Sequence, residues 1–238
     1  MENDGARASV RAALEELAAR ARTGALPPSA RRPGDDAAAD GYRRAAVMVL
    51  LTPHVQRPAP PAPGVDVFLV QRADHLRHHP GEISLPGGRV EEDDADDAAA
   101  ALRELAEETG LDPGDVDVVG QLPPLLLPVS RNVVTPVLGW SGAVSRAGHV
   151  APGEVVRTLR VPVAELLDPA ARATVRIRGH RTPGFATPAG WVWGFTGLLL
   201  DEMFTALGWT RSWEPSREVV MAYDRNLRRT VVREAAAG

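Results

Sequence analysis

Residues 85–111 constrain this chain most strongly, because they place acidic side chains where a helix disfavours them. The segment reads LPGGRVEEDDADDAAAALRELAEETGL, and its second half predicts an amphipathic helix that ends at Gly110. The last turn of that helix carries Glu104, Glu107 and Glu108. The C-terminal end of a helix dipole normally attracts cations, and like charges three or four residues apart repel each other. We therefore expect a compensating cation.

A divalent metal ion is the cation that suits these side chains best. Glu104 and Glu108 are one helical turn apart on the same face, and Glu107 lies three residues from Glu104. Arg103 is placed to pair with Glu107, but the sequence supplies no cation for the other two glutamates. Carboxylate-dominated sites suit Mg²⁺ or Mn²⁺. The alternative is a solvated acidic helix face that needs no ligand.

The turn Pro86-Gly87-Gly88 lies just before the acidic segment. Glycine lets the backbone approach a ligand closely, so this turn is able to bring main-chain groups near a metal or a phosphate. Together, the glycine turn and the glutamates favour a ligand-binding site over a solvated helix face.

Composition narrows the class of protein. The chain has 238 residues, no cysteine and a net charge of −4, which excludes thiolate chemistry and does not indicate a general nucleic-acid surface. The N-terminus lacks the apolar run of a signal peptide, and no segment approaches the roughly 20 apolar residues of a membrane helix. We therefore expect a cytoplasmic protein that binds a small molecule rather than nucleic acid or a membrane. The oligomeric state stays open, a homodimer included.

Hydrophobic patterns predict one α/β domain between two extensions. Residues 1–40 are expected to form an N-terminal helix and a Pro- and Arg-rich arm, residues 41–210 the domain, and residues 211–238 a tail of undecided structure. Strands are predicted at 43–51, 65–72, 115–122 and 133–140, and in EVVRTLRVPV and WVWGFT, the last followed by an apolar helix. Strands mixed with few helices indicate an α/β sandwich with a mixed β-sheet.

The helix and the turn before it resemble the Nudix box. That pattern is Gly, five residues, Glu, seven residues, then Arg-Glu-U-x-Glu-Glu-x-Gly-U, where U is a bulky aliphatic residue. Residues 103–111, RELAEETGL, match every defined position of its second half. In the first half, one additional residue restores Gly88, with Asp94 in place of the first glutamate. The resemblance implies a Nudix-type α/β/α sandwich with a loop–helix–loop catalytic motif.

The stretch from Phe68 to Gly88 is similar to the signature of the coenzyme A pyrophosphatases, a subgroup of the Nudix hydrolases. That signature is Leu-Leu-Thr-x-Arg-(Ser/Ala), three residues, Arg, three residues, Gly, three residues, Phe-Pro-Gly-Gly. The residues that match it in register are Arg72, Ala73, Arg77, Gly81, Pro86, Gly87 and Gly88. Phe68, Val70 and Leu85 depart from it. The likeness extends over residues 43–209.

The resemblance implies metal-dependent hydrolysis of coenzyme A or its derivatives to 3′,5′-ADP and (acyl-)4′-phosphopantetheine. It implies that Mg²⁺ or Mn²⁺ is held by four residues, namely Glu104, Glu107, Glu108 and Gly88. The implied substrate contacts are Arg72, Arg77 and Gly87, since guanidinium groups match phosphate oxygens.

The implied catalytic residues are Arg103, Glu104 and Glu154. Either glutamate is a candidate for the base that deprotonates the attacking water, and the sequence does not decide between them. The family commonly has a second acid three residues after the position of Glu154, where this chain has Arg157.

Two other functions stay open. The departures at Val70 and Leu85 leave room for a Nudix hydrolase of another nucleoside diphosphate derivative, such as NADH or ADP-ribose. A non-catalytic Nudix-like ligand sensor is the second alternative, and it is disfavoured because the chain keeps all three box glutamates. The aromatic residues Trp191, Trp193 and Phe195 are predicted to alternate along a strand, in the core or on a sheet face rather than against a ligand.

Overall fold

A computed structural model describes most of the chain. The described residues are 2–26, 41–54, 63–76, 79–128, 130–142, 153–224, 226–227 and 229–233. The predicted substrate contact Arg77 and most of the predicted N-terminal arm lie outside them.

The strands in the described part of the chain form two sheets, and the first has eight strands and is mixed. Its strands are β1 (Arg43–Pro53), β2 (Val65–Arg72), β3 (Ile83–Ser84), β4 (Gly87–Arg89), β5 (Asp117–Gln121), β6 (Leu125–Leu127), β7 (Asn132–Trp140) and β8 (Val155–Pro162). The long strands β1 and β7 are parallel, with Arg43 opposite Asn132 and Leu51 opposite Trp140. The main order is β3-β2-β1-β7-β5, while β4 pairs with β1, β6 with β7 and β8 with β2, all antiparallel.

A second sheet of five strands follows, and most of it was not predicted. Its strands are β9 (Arg172–Ile177), β10 (His180–Thr187), β11 (Gly190–Val192), β12 (Glu218–Asp224) and β13 (Arg229–Arg233), in the order β11-β10-β9-β12-β13. Only β11 was expected from the sequence pattern. The region for which the pattern was ambiguous therefore contains a regular β-hairpin, β12–β13, whose first strand runs parallel to β9.

Within the described ranges, the α-helices are α1 (Glu2–Arg22), α2 (Asp97–Thr109), α3 (Val163–Leu166) and α4 (Gly194–Ala206). The limits of α2 follow from its caps. The side chain of Asp96 accepts a hydrogen bond from Ala99 N at 2.8 Å. Gly110 ends the helix at a φ of 68°, and its N–H donates to Ala106 O at 2.8 Å, which confirms the predicted end. No helix in the described ranges is long and apolar enough to cross a membrane.

Two hydrophobic clusters flank the first sheet. The larger one joins Leu17 of α1 and Leu69 of β2 to Phe204 of α4, so both helices lie on the same side. The smaller one joins Leu105 of α2 to Phe68 of β2. Helices therefore cover both faces of a mixed sheet, and the predicted α/β/α sandwich is confirmed.

The buried face of α2 matches the predicted one in part. The hydrophobic spacing predicts a buried stripe of Ala98, Leu102, Leu105 and Thr109. Leu105 and Thr109 are fully buried, and so is Ala101, whereas Ala98 and Leu102 are only half-buried. The inward face is rotated toward position 101, and Glu108 consequently lies on the side of the helix that faces the protein. One of the three acidic side chains is therefore buried among apolar groups.

Candidate active site

The acidic end of α2 packs against the glycine turn that leads into β4. Met48 N donates to Pro86 O at 2.8 Å, and β4 pairs with β1 so that Gly87 lies opposite Val47. Gly87 has a φ of 155°, and a side chain there would collide with the backbone of Ala46 and Val47. Glycine is therefore required for the turn to lie this close to the sheet.

Glu108 is the most buried of the three glutamates, at 8% exposure. Its Oε2 accepts a hydrogen bond from Gly87 N at 3.0 Å, and its Oε1 lies 3.9 Å from Arg72 Nη1. Burial raises the pKa of Glu108 to about 7, and the negative charges of Glu104 and Glu154 add to the rise. Among the described residues, the hydrogen bond from Gly87 N and the positive charge of Arg72 lower this pKa, but they offset the effect of burial only in part.

Glu104 is half-buried one turn earlier and lies against Gly88. The two residues are so close that a Cβ atom at position 88 would overlap the Glu104 carboxylate. Burial raises the pKa of Glu104, and the hydrogen bond from Arg103 Nη1, at 3.1 Å, opposes the rise. Glu107 is different, because its side chain is 58% exposed and its closest contact to Arg103 is 3.4 Å.

Arg103 is held by the residue that replaces the first glutamate of the Nudix box. Its Nε and Nη2 donate to Asp94 at 3.1 and 3.0 Å, and Nη2 also donates to Arg89 O at 2.9 Å. Hydrogen bonds from Arg103 hold the pKa of Asp94 below its usual range. Asp94 therefore anchors Arg103, which in turn contacts Glu104.

These contacts correct one expectation from the sequence. Arg103 was expected to reach Glu107 alone, leaving Glu104 and Glu108 with no cation. That was wrong, since Arg103 contacts Glu104 more closely than Glu107, and Arg72 approaches Glu108. The missing information was tertiary, because Arg72 is far from the helix in sequence.

Arg72 lies between two carboxylates without hydrogen-bonding either one. Its Nη2 is 3.9 Å from Glu154 Oε2, and its Nη1 is 3.9 Å from Glu108 Oε1. Its buried Nε has no hydrogen-bond partner among the described residues. Glu154 is mostly exposed, and its carbonyl oxygen accepts a hydrogen bond from Ala73 N at 2.8 Å. Glu154 lies near the same site, because Arg72 is 3.9 Å from both Glu154 and Glu108. Its negative charge adds to the rise in the pKa values of Glu104 and Glu108 that burial causes.

The donor chemistry of this site fits a divalent cation. Two carboxylates with raised pKa values lie on one face of α2, beside a glycine turn that leaves room for no side chain. Such hard oxygen donors suit Mg²⁺ or Mn²⁺. Within the described ranges, no three His, Asp or Glu side chains already form a metal-holding group. The ligand set Glu104, Glu107, Glu108 and Gly88 therefore stays a prediction.

The aromatic residues near α4 do not form the predicted pattern. Trp191 lies in β11, but Trp193 precedes α4 as its cap residue and Phe195 lies within that helix. The expectation that all three alternate along one strand was therefore wrong. The half-buried Phe195 packs against the larger hydrophobic cluster.

Several known proteins are similar to this chain. A family model described as NUDIX domain matches residues 41–177. The Uncharacterized Nudix hydrolase NudL of Escherichia fergusonii is 35% identical over 171 residues, covering 70% of this chain and 84% of that protein. The protein of the same name from Shigella flexneri is 35% identical over 173 residues, covering 71% and 85%. The solved NUDIX domain of Shewanella oneidensis NrtR, complexed with ADP ribose, is 25% identical with a TM-score of 0.41, covering 56% and 81%.

Proposed function

The chain belongs to the NUDIX domain family and is a Nudix hydrolase, and from that premise we propose that it cleaves the diphosphate bond of coenzyme A or its derivatives. The products are 3′,5′-ADP and 4′-phosphopantetheine, or acyl-4′-phosphopantetheine from an acylated substrate. Nucleoside diphosphate derivatives are the wider substrate class, and coenzyme A is the member that the stretch from Phe68 to Gly88 favours.

The position of Arg72 carries this proposal. Arg72 is one of the residues that match the coenzyme A signature, and its guanidinium lies beside Glu108 and Glu154. Both carboxylates are 3.9 Å away, which is too far for a hydrogen bond. The guanidinium therefore keeps donors for a phosphate oxygen next to the acidic end of α2, and a planar guanidinium matches phosphate geometry.

A metal ion belongs to this mechanism. We assign its binding to Glu104, Glu107 and Glu108 with the main chain of Gly88, and expect Mg²⁺ or Mn²⁺. When bound, such an ion neutralises diphosphate charge and makes a coordinated water more acidic.

Residues of the protein hold the glutamates of the site in position and accept the proton of the attacking water. Asp94 fixes Arg103, which holds Glu104 in place, and Gly87 N–H holds Glu108 through its hydrogen bond. Glu104 and Glu154 are the two candidates for accepting the proton of the attacking water. Burial raises the pKa of Glu104, which strengthens it as a base, whereas the exposure of Glu154 allows it to release a proton to solvent.

A substrate panel tests the proposal. Purified protein is incubated with coenzyme A, dephospho-coenzyme A, NADH or ADP-ribose, with Mg²⁺ or Mn²⁺, and the products are separated by chromatography. We expect coenzyme A to give the highest kcat/KM. Dephospho-coenzyme A should react roughly ten- to a hundredfold less well, because a charged guanidinium–phosphate contact of about 1.5–3 kcal/mol is lost.

Variants make the panel decisive. Glu104→Gln serves as the inactive control, and Arg72→Ala should narrow the gap between coenzyme A and dephospho-coenzyme A. Equal rates on these two substrates would remove the 3′-phosphate contact from the proposal. Faster cleavage of NADH or ADP-ribose than of coenzyme A would assign the enzyme to another nucleoside diphosphate derivative.

A further inference from the structure

The C-terminal β12–β13 hairpin contacts the loop between β2 and β3, which begins directly after Arg72. One contact is an ion pair in which Arg229 Nη1 lies 3.3 Å from Asp74 Oδ2. The second is a hydrogen bond from Thr230 Oγ1 to Glu82 Oε1 at 3.4 Å. About 150 residues separate the partners in each pair, so the fold brings the end of the chain onto this loop.

The packing between the two contacts is tight. Gly81 has a φ of 70°, and a Cβ atom at this position would overlap Asp74 Oδ1 and lie 3.7 Å from Arg229 Cδ. The other carboxylate oxygen of Glu82, Oε2, is hydrogen-bonded to His79 Nδ1 at 2.8 Å. The hairpin therefore touches the loop at both ends and holds a glutamate that also pairs within the loop.

The same loop holds two groups of the candidate active site. Arg72 N donates to Glu82 O at 2.9 Å, so the residue that contacts Thr230 also contacts the backbone of Arg72. Ala73 N donates to Glu154 O at 2.8 Å, which ties the beginning of the loop to the second candidate base. A displacement of the loop would therefore reach Arg72 through Glu82, whereas it would reach Glu154 only through the main-chain hydrogen bond of Ala73.

We propose that Arg229 and Thr230 are positioning residues for substrate binding, because the hairpin holds the β2–β3 loop in the conformation that sets Arg72 beside Glu108. Neither residue touches the reacting groups, and both act through the loop. This inference rests on the proposed function for the identity of the substrate, but the mechanical coupling between hairpin and loop does not depend on it.

The coupling needs both contacts. The Asp74–Arg229 pair is exposed, and an exposed ion pair alone has little effect on stability. The contact between Thr230 and Glu82 is partly buried, and Glu82 is further fixed by His79. A test should therefore remove both contacts together.

The experiment uses the full chain and a double variant, Arg229→Gln with Thr230→Val. We expect KM for the best diphosphate substrate to rise roughly three- to tenfold with kcat within about twofold of wild type, because a misplaced Arg72 weakens binding. Hydrogen–deuterium exchange at the amides of Leu76 and Glu82 should become faster. The conservative variant Arg229→Lys with Thr230→Ser should restore both KM and the exchange rates.

Arg176→Gln is the matched control, because it breaks an ion pair of 2.9 Å to Glu218 in the same hairpin but does not touch the loop. It should leave KM and loop exchange unchanged. Faster loop exchange in the double variant with an unchanged KM would overturn the inference, and so would unchanged loop exchange. A wild-type protein that cleaves none of the diphosphate substrates would instead reject the proposed function, while the exchange rates alone would still decide whether the hairpin holds the loop.

Discussion

At the residue scale, Glu108 combines two opposing properties. It shares the inward face of α2 with Ala101 and Leu105, yet it carries a carboxylate. Because burial raises its pKa to about 7, the metal-free folded protein binds a proton at pH values where the unfolded chain has released it. The free energy of unfolding should therefore fall as the pH rises from the ordinary carboxyl pKa to about 7.

The first prediction follows from this linkage. In the presence of a chelator at pH 8, Glu108→Gln should raise the free energy of unfolding by an amount on the order of 3 kcal/mol, since a charged group no longer has to be buried. The gain should disappear near pH 4, where the carboxyl group of the wild type is protonated in both states. Urea unfolding at both pH values measures the effect. In a separate assay at pH 8 with Mg²⁺ or Mn²⁺, turnover of this variant should be nearly lost.

Glu107→Gln provides the control, because that side chain is largely exposed. It should change the unfolding free energy little at both pH values. The same gain at pH 4 and at pH 8 would contradict the role given to the charge of Glu108.

The second prediction concerns Gly88. The substitution Gly88→Ala places a methyl group on the Glu104 carboxylate and should lower kcat/KM by roughly tenfold or more, since small displacements of reacting groups are costly. The fold should persist, because the carboxylate is able to rotate away. Gly142→Ala is the matched control, as its Cβ atom meets nothing closer than Trp140 Nε1 at 3.9 Å. Equal activity of both variants and the wild type would show that close approach of Gly88 to Glu104 is not needed.

The sequence predicted the part of the site that is local in the chain. The acidic turn of α2 and the glycine turn are separated by few residues, and their spacing was enough to bring them together. The contacts of Arg72 with Glu154, and of Thr230 with Glu82, join segments that are distant in the chain. No local pattern in the sequence indicates such contacts. Such pairings depend on the course of the strands, which a single sequence does not specify.

At the element scale, the N-terminal helix is part of the core rather than an appendage. Leu14, Leu17 and Ala18 are fully buried in the larger cluster. Gly120 of β5 permits this packing, because any side chain at that position would collide with Ala18. The side chain of Arg11 also pairs with Asp117 at 2.7 Å. The helix therefore covers the first sheet and excludes water from its face.

The third prediction tests this packing. Leu17→Ala should lower the free energy of unfolding by about 2–5 kcal/mol, because a buried leucine leaves a cavity when it is truncated. Glu16→Ala, at the neighbouring exposed position, should change it by no more than about 0.5 kcal/mol. Urea titrations of both variants decide the matter. A loss for Leu17→Ala as small as that for Glu16→Ala would mean that the helix contributes little to stability.

Predictability differed between elements for a physical reason. Strands β1, β2 and β7 are buried along most of their length and read as apolar runs, so their positions were recognised. The strands β9 and β10 contain Arg, Thr, Gly and Pro and are partly exposed. Their pairing is set by neighbouring strands and by α4, so no local hydrophobic pattern indicated them.

At the scale of the whole molecule, the larger cluster crosses the boundary between the two sheets. Leu69 and Ile83 of the first sheet belong to the same cluster as Phe185 and Val192 of the second. In the second sheet, Arg172 of β9 packs against two aromatic rings. Its guanidinium carbon lies 4.3 Å from the ring centroid of Phe185 and 4.5 Å from that of Trp213. A continuous core means that neither sheet can lose its packing without exposing apolar surface on the other.

The last prediction is that the two sheets unfold in one transition. Of the five tryptophans, only Trp140 lies in the first sheet, whereas the other four fall between residues 191 and 213, so fluorescence reports mainly on the second sheet and α4. Enzymatic activity at saturating substrate reports mainly on α2 and the first sheet, where the proposed site residues lie. Because one core serves both, urea midpoints measured by fluorescence, by circular dichroism and by residual activity should coincide, as they do for a cooperative domain. Phe204→Ala, which truncates a fully buried member of the shared cluster, should shift all three midpoints together to lower urea. A fluorescence transition that precedes the loss of activity would show that the second sheet unfolds separately.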